Sequence, residues 1–133
     1  RAIGELGLNE TCAVSLEPGN SFEYGYQCTK ELLAQNPDLD AIMAAVDIQG
    51  MGALRALKDM DIHVPDQMRL ISLTGHSIGG LLETSMTSLE IPAYEIGERA
   101  TNMTIKEIES PSDAKPSVQH LVFSAVLVER ESS

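Results

Sequence analysis

The first residue in this chain that could do chemistry is Ser77. Gly75-His76-Ser77-Ile78-Gly79 fits the G-x-S-x-G pattern and follows an apolar run. In that context a sharp strand-to-helix turn can expose a nucleophilic serine. Such a serine needs an acid and then a base histidine further along the chain, and Asp113 and His120 supply that order. However, Asp113 lies in a polar loop, His120 at a strand start, and Gly79-Gly80 and Thr84-Ser85 interrupt the helix that should follow the turn. Serine hydrolysis through Ser77 is therefore only a remote alternative. No metal site is expected, because His63, His76 and His120 are scattered and lack H-x-x-x-H or C-x-x-C partners. No glycine pattern matches a phosphate or dinucleotide cradle, so no cofactor is expected.

What remains is a set of small polar groups in three loops: Gly19-Asn20-Ser21, Val46-Asp47 and Thr74-Gly75-His76. Each loop is predicted to follow a strand. In open α/β sheets, the rim at the carboxyl ends of parallel strands is where ligands bind. Amide, hydroxyl and carboxylate groups there could hydrogen-bond the hydroxyls of a polar small molecule. Asn20 and Asp47 fit equally well as plain helix caps.

The elements that would position these loops centre on Asp40 to Gly75. Ala41 to Val46 is a continuous apolar run, the mark of a parallel strand covered on both faces. Asp47 stands where an N-cap belongs. Met51, Leu54 and Leu57 recur at helical spacing through Asp59, Pro65 bars continuation, and Met68 to Leu73 reads as the next strand. This is a βαβ unit, expected to cross right-handed in a parallel sheet.

Upstream, Arg1 to Leu8 reads as the end of a helix with Gly7 as its C-terminal signal, and Cys12 to Leu16 as a short strand. Asn20-x-x-Glu23 makes a capping box for a helix with Phe22, Tyr26, Thr29 and Leu33 on one face, ending near Asn36-Pro37. Downstream, His76 to Met86 reads as loop or a single turn, and Thr87 to Ile91 as a strand. A long helix follows Pro92, with Ile96, Ala100 and Met103 on one stripe. Ser110 to Ser117 is a turn-rich connection, and His120 to Val128 alternates as a closing strand.

At 133 residues and 43% hydrophobic, the chain suits one domain with a modest core. A formal charge of −11 argues against this segment itself gripping nucleic acid or an anionic membrane. No apolar run approaches the roughly 20 residues of a spanning helix. Arg1 in place of an initiator Met suggests a fragment. Cys12 and Cys28 could pair as a lone disulfide, but their sparseness favours two thiols in a reducing cytosol.

The order of motifs over nearly the whole chain resembles the LacI/GalR family of bacterial transcription regulators. AIMAAVDIQGMGALRALKDMDIHVPDQMRLISL is similar to that family's run of apolar strand, A-x-D, G-A-L-R-A-L helix, V-P and apolar strand. MTSLEIPAYEIGERATNMTIKEI resembles its L-T-T-V-x-x-P helix, and LVERESS its closing L-V-x-R-x-S. The resemblance implies a partial, parallel-sheet α/β fold like a periplasmic sugar-binding protein. It would comprise residues 1–90 from the C-terminal subdomain, 91–119 returning to the N-terminal subdomain, and 120–133 as the final strand back.

The resemblance also implies a pocket. Asn20 sits where family members often carry a stacking aromatic, and Val46 where a polar residue, often Asn, precedes the Asp that is here Asp47. Thr74 falls where many carry the Asp of G-[FY]-D. The implied function is effector sensing, with a sugar or sugar phosphate as the default ligand, without catalysis. Operator DNA would be read by a helix-turn-helix domain outside this chain. The regulator would be a cytoplasmic homodimer, to whose interface Met51 and Leu81-Leu82 could contribute if they are not core. The alternative is a transport-associated sugar-binding protein of the same fold.

Overall fold

In the computed structural model, residues 5, 7, 19, 21–110 and 118–133 are described. Glu5 is helical and Gly7 takes the left-handed φ of 68° expected of a C-terminal signal. The strand expected over Cys12 to Leu16, the connection from Pro111 to Ser117, and Asn20 itself lie outside the described residues.

Helix α1 (Phe22–Gln35) is capped by Ser21, one residue later than the capping box places it. Ser21 is extended at φ −140°, and its hydroxyl accepts the Tyr24 amide at 3.1 Å. With the frame moved by one, Glu23 no longer reaches back to the cap; it accepts from Gln27 Nε2 at 2.7 Å. The helix stops at Asn36, whose amide and side-chain nitrogen both donate to the Leu32 carbonyl, and Pro37 bars a further turn.

Strand β1 (Ala41–Ala44) leads into helix α2 (Asp47–Asp59) and strand β2 (Arg69–Gly75). β1 and β2 pair in parallel from Ala41↔Arg69 to Ala44↔Ser72, which gives the expected βαβ unit. Two expectations need correction. Asp47 is not the N-cap of α2: Val46 holds that place with no side-chain bond, and Asp47 begins the first turn. β1 is also covered on one face only among the described residues, since Ile42 and Ala44 are buried while Met43 is 63% exposed. The covered face is the one that meets the helices, where Leu33, Ala53 and Leu57 form a core with Ile42, Met68, Leu70 and Met86.

The two helices approach each other closely because glycines face across the contact. A Cβ on Gly52 would run into the Phe22 carbonyl, and one on Gly25 into the Gln49 carbonyl. This also explains why Met51 and Leu54 of the expected stripe are only half-buried. The innermost positions of α2 belong to Gly50, Gly52, Ala53, Ala56 and Leu57.

After a 3₁₀ turn (Ser77–Leu81), β3 (Thr87–Glu90) adds to β2 in parallel, with Ser72↔Ser88 in register. β4 (Val126–Val128) closes the sheet antiparallel to β3, for a strand order β1-β2-β3-β4. The sheet is thus parallel-dominated rather than wholly parallel. Between β3 and β4 the chain makes helix α3 (Ala93–Glu109), none of whose residues is buried. The strand expected from His120 forms only over Val126–Val128. A strand needs a ladder partner, and β3 is just four residues long, so His120 to Ala125 has no partner among the described residues.

The last residues are anchored firmly. Ser132 Oγ accepts the Thr87 amide at 2.9 Å and donates to the Leu70 carbonyl, while the Ser132 carbonyl accepts the Leu70 amide at 2.7 Å.

Candidate functional site at the strand rim

Asp47 and His76 sit just past the carboxyl ends of the neighbouring strands β1 and β2, so the parallel pairing brings them together. Asp47 is only 8% exposed. Its Oδ2 accepts the His76 amide at 2.7 Å, while Oδ1 is buried without a partner among the described residues. A buried carboxylate oxygen left unpaired is costly, so an acceptor held this way is primed for a donor such as a hydroxyl.

The other expected residues are placed less tightly. Val46 is half-buried, and its carbonyl accepts the amides of Gln49 and Gly50. Thr74 is exposed, one residue before the end of β2. Gln49, which the sequence reading passed over, donates from Nε2 to the Gly19 carbonyl at 2.8 Å, tying the loop before α1 to the start of α2. Its signal in the sequence was only its position, two residues past Asp47 in the same helical turn.

Ser77 Oγ lies 3.1 Å from His76 Nδ1, while Asp113, the acid of the expected triad, lies outside the described residues. Asp47 engages the His76 backbone amide rather than its ring. A five-residue 3₁₀ turn stands where a nucleophile elbow requires a helix, and His120 is exposed on an unpaired stretch. Among the described residues, no group of three His, Cys, Asp or Glu could hold a metal, and no helix is long and apolar enough to cross a membrane. Cys28 is a free thiol. Two concavities do not have Asp47 in their lining, although the smaller reaches Ala45 and Gln49 beside it. One of about 620 Å³ is lined by Met51, Leu54, Lys58, Leu82 and Glu83 among others, and one of about 310 Å³ lies between α1 and β1.

The match to the periplasmic binding protein-like domain covers residues 1–133, the whole of this chain. The chain belongs to that family. Among its relatives within the family's regulators, the ribose operon repressor of Halalkalibacterium halodurans is 35% identical over 81 residues, covering 61% of this chain and 24% of the repressor. The HTH-type transcriptional regulator IdnR of Escherichia coli is 31% identical over 91 residues, covering 68% of this chain and 27% of the regulator. The chain therefore spans about a quarter of the length of these two regulators.

The fold is shared with solved regulators. A transcriptional regulator CelR–cellobiose complex superposes with a TM-score of 0.86 at 26% identity, over 99% of this chain and 39% of that one. A LacI-family regulator from an Arthrobacter species in complex with lactose gives 0.82 at 25% identity, over 98% and 47%. The GHSIG segment is the last residue of β2 followed by the 3₁₀ turn.

Proposed function

We propose that this chain is the effector-sensing part of a LacI-type transcription regulator, binding a small polar ligand at the rim formed by Asn20, Val46, Asp47 and Thr74. The observation that carries the reading is the Asp47 carboxylate: buried, fixed by the His76 amide through one oxygen, and offering the other without a partner among the described residues. A sugar or sugar phosphate is the default ligand, in keeping with neighbours solved with lactose and with cellobiose. Residues 1–90 and the closing strand within 120–133 form one lobe, and 91–119 crosses to the other; α3, with nothing buried, is the element awaiting that second lobe. Ligand binding between lobes biases their closure, and the shift in population reaches operator DNA through a helix-turn-helix domain outside this chain. The chain carries no catalytic role and works in the cytoplasm.

The regulator acts as a homodimer. Leu81 is 84% exposed, next to the groove lined by Met51, Leu54 and Leu82. Leu81 with the half-buried Met51, Leu54 and Leu82 is the apolar part of this surface, and the Lys58–Glu83 ion pair lies beside it, the mixed apolar and charged make-up of a subunit contact. That the relatives are regulators favours this reading over a transport-associated binding protein.

A thermal-shift screen of the full-length protein against lactose, cellobiose, other sugars and sugar phosphates tests the pocket. A ligand binding only the native state at 100 times its Kd adds about 2.7 kcal/mol of stability. The expected result is a concentration-dependent rise in Tm that Asp47→Ala and Thr74→Ala abolish. A sugar whose shift survives both substitutions would remove these residues from the pocket.

A further inference from the structure

The Asp47 carboxylate is the end of a longer construction. The His76 amide donates to Asp47 Oδ2 at 2.7 Å. The His76 carbonyl accepts the Gly79 amide at 3.1 Å, and the Gly79 carbonyl accepts the Met86 amide at 2.9 Å. The Met86 carbonyl accepts Arg130 Nη1 at 2.8 Å. The same guanidinium donates to Ser88 Oγ at 2.9 Å and pairs through Nη2 with Glu90 Oε1 at 2.5 Å. Arg130 is 15% exposed and Glu90 30%, so the pair is shielded from water more than a surface ion pair would be.

Every donor in this series points the same way, from the cation towards the carboxylate. The bonds enter and leave Met86, Gly79 and His76 through different peptide groups, so the link is mechanical: each bond fixes the backbone on which the next depends. The series also links parts of the chain that sequence keeps apart. Asp47 opens α2, the 3₁₀ turn carries Gly79, Met86 leads into β3, and Arg130 follows β4. Glu90 is the last residue of β3, directly before Ile91-Pro92, where the chain leaves the sheet for α3.

We propose that Arg130 is a positioning residue for the candidate pocket: through Met86, Gly79 and His76 it couples the Asp47 carboxylate to Glu90, where the chain departs from the sheet. A group that binds Asp47 or moves the His76 loop then changes how firmly Glu90 is held, and so the geometry with which the chain leaves this lobe. This regulatory meaning rests on the pocket reading above; the coupling itself does not. A clamp that merely fixed the C-terminal tail would stabilise β3 and β4 but would make that effect independent of Asp47.

Hydrogen exchange read by mass spectrometry on the full-length protein distinguishes these. The variants are Asp47→Asn, Arg130→Lys, their combination, and Glu90→Gln with and without Asp47→Asn. Asp47→Asn should speed exchange several-fold both in the loop peptide spanning 76–86 and in the β3 peptide spanning 87–90. In the Arg130→Lys background its effect on the loop should persist while its effect on β3 disappears. Glu90→Gln, which cuts only the last link, should do the same and serves where Arg130→Lys does not fold. If Asp47→Asn speeds exchange in β3 by the same factor in all three backgrounds, or never affects β3, the proposal falls. Adding lactose or cellobiose to the wild type separates the two readings. Loss of additivity without protection by any sugar of the thermal screen supports the coupling and overturns the pocket.

Discussion

Helices α2 and α3 are both amphipathic, yet they end in opposite environments. α2 buries Asp47, Gly50, Gly52, Ala53, Ala56 and Leu57 between α1 and the sheet, while α3 buries nothing along its whole length. Propensity does not separate them; partners do. Most helical stability in proteins comes from packing an apolar face rather than from intrinsic preference. The packed region has its cover within this chain, whereas the half-exposed stripe of α3, with Ile96 and Met103, has none among the described residues.

The strongest test of this contrast is a pair of truncations in the full-length protein, followed by chemical denaturation. Leu57 is fully buried, and Leu57→Ala should cost about 2–5 kcal/mol through lost burial and the cavity left behind. Met103→Ala should cost about 2 kcal/mol or more if α3 packs into a second lobe, the range for a truncated buried Met. A change within about 0.5 kcal/mol, as for an ordinary surface position, would break the two-lobe reading.

The contrast also shows how much of the molecule could be read from its residues. The order strand, helix, strand over Ala41 to Gly75, the end of α1 at Asn36-Pro37 and the start of α3 after Pro92 follow from local signals: apolar runs, caps and prolines. What could not be read depends on residues distant in sequence. Gly25 and Gly52 carry no side chain to mark the helix contact they allow. The alternation from His120 to Val128 is a real strand pattern, but the length of β3 decides how much of it pairs. β1 is apolar on both sides, which says nothing about which face is covered. The type and place of Asp47 suggested a rim group and a cap equally; it is not the cap, and only the parallel pairing of β1 with β2 brings the His76 amide to its Oδ2.

A smaller effect tests whether the last residues belong with the packed region. Ser132 is fully buried, although it is the penultimate residue, and its hydroxyl joins the Thr87 amide to the Leu70 carbonyl. Ser132→Ala leaves a buried donor and a buried acceptor each short of a partner, at a cost of about 1–3 kcal/mol. The denaturation midpoint should fall with the slope unchanged, since compactness is retained. A midpoint within error of wild type would move this tail to the loosely held side of the comparison.

The smallest expected effect follows from the neighbouring Glu131. The Ser85 amide and then the Ser85 hydroxyl, both at 2.8 Å, hold its carboxyl below the usual glutamate value near 4.5. A carboxylate whose pKa is lower folded than unfolded stabilises the fold above its unfolded pKa. That contribution is lost as pH falls through the folded pKa. The same sign holds for Glu83, depressed by Lys58, and for Asp59, depressed by Arg55. All three are surface groups, where such interactions are weak and screened by salt, so the combined effect is slight. Glu131→Gln isolates one of them. Its Tm should lie slightly below that of the wild type near pH 7, and the gap should close as pH falls from the usual glutamate range through the lowered folded value. A gap that persists at low pH would mean that Glu131 holds Ser85 by its shape rather than its charge, making this end of the packed region indifferent to acid.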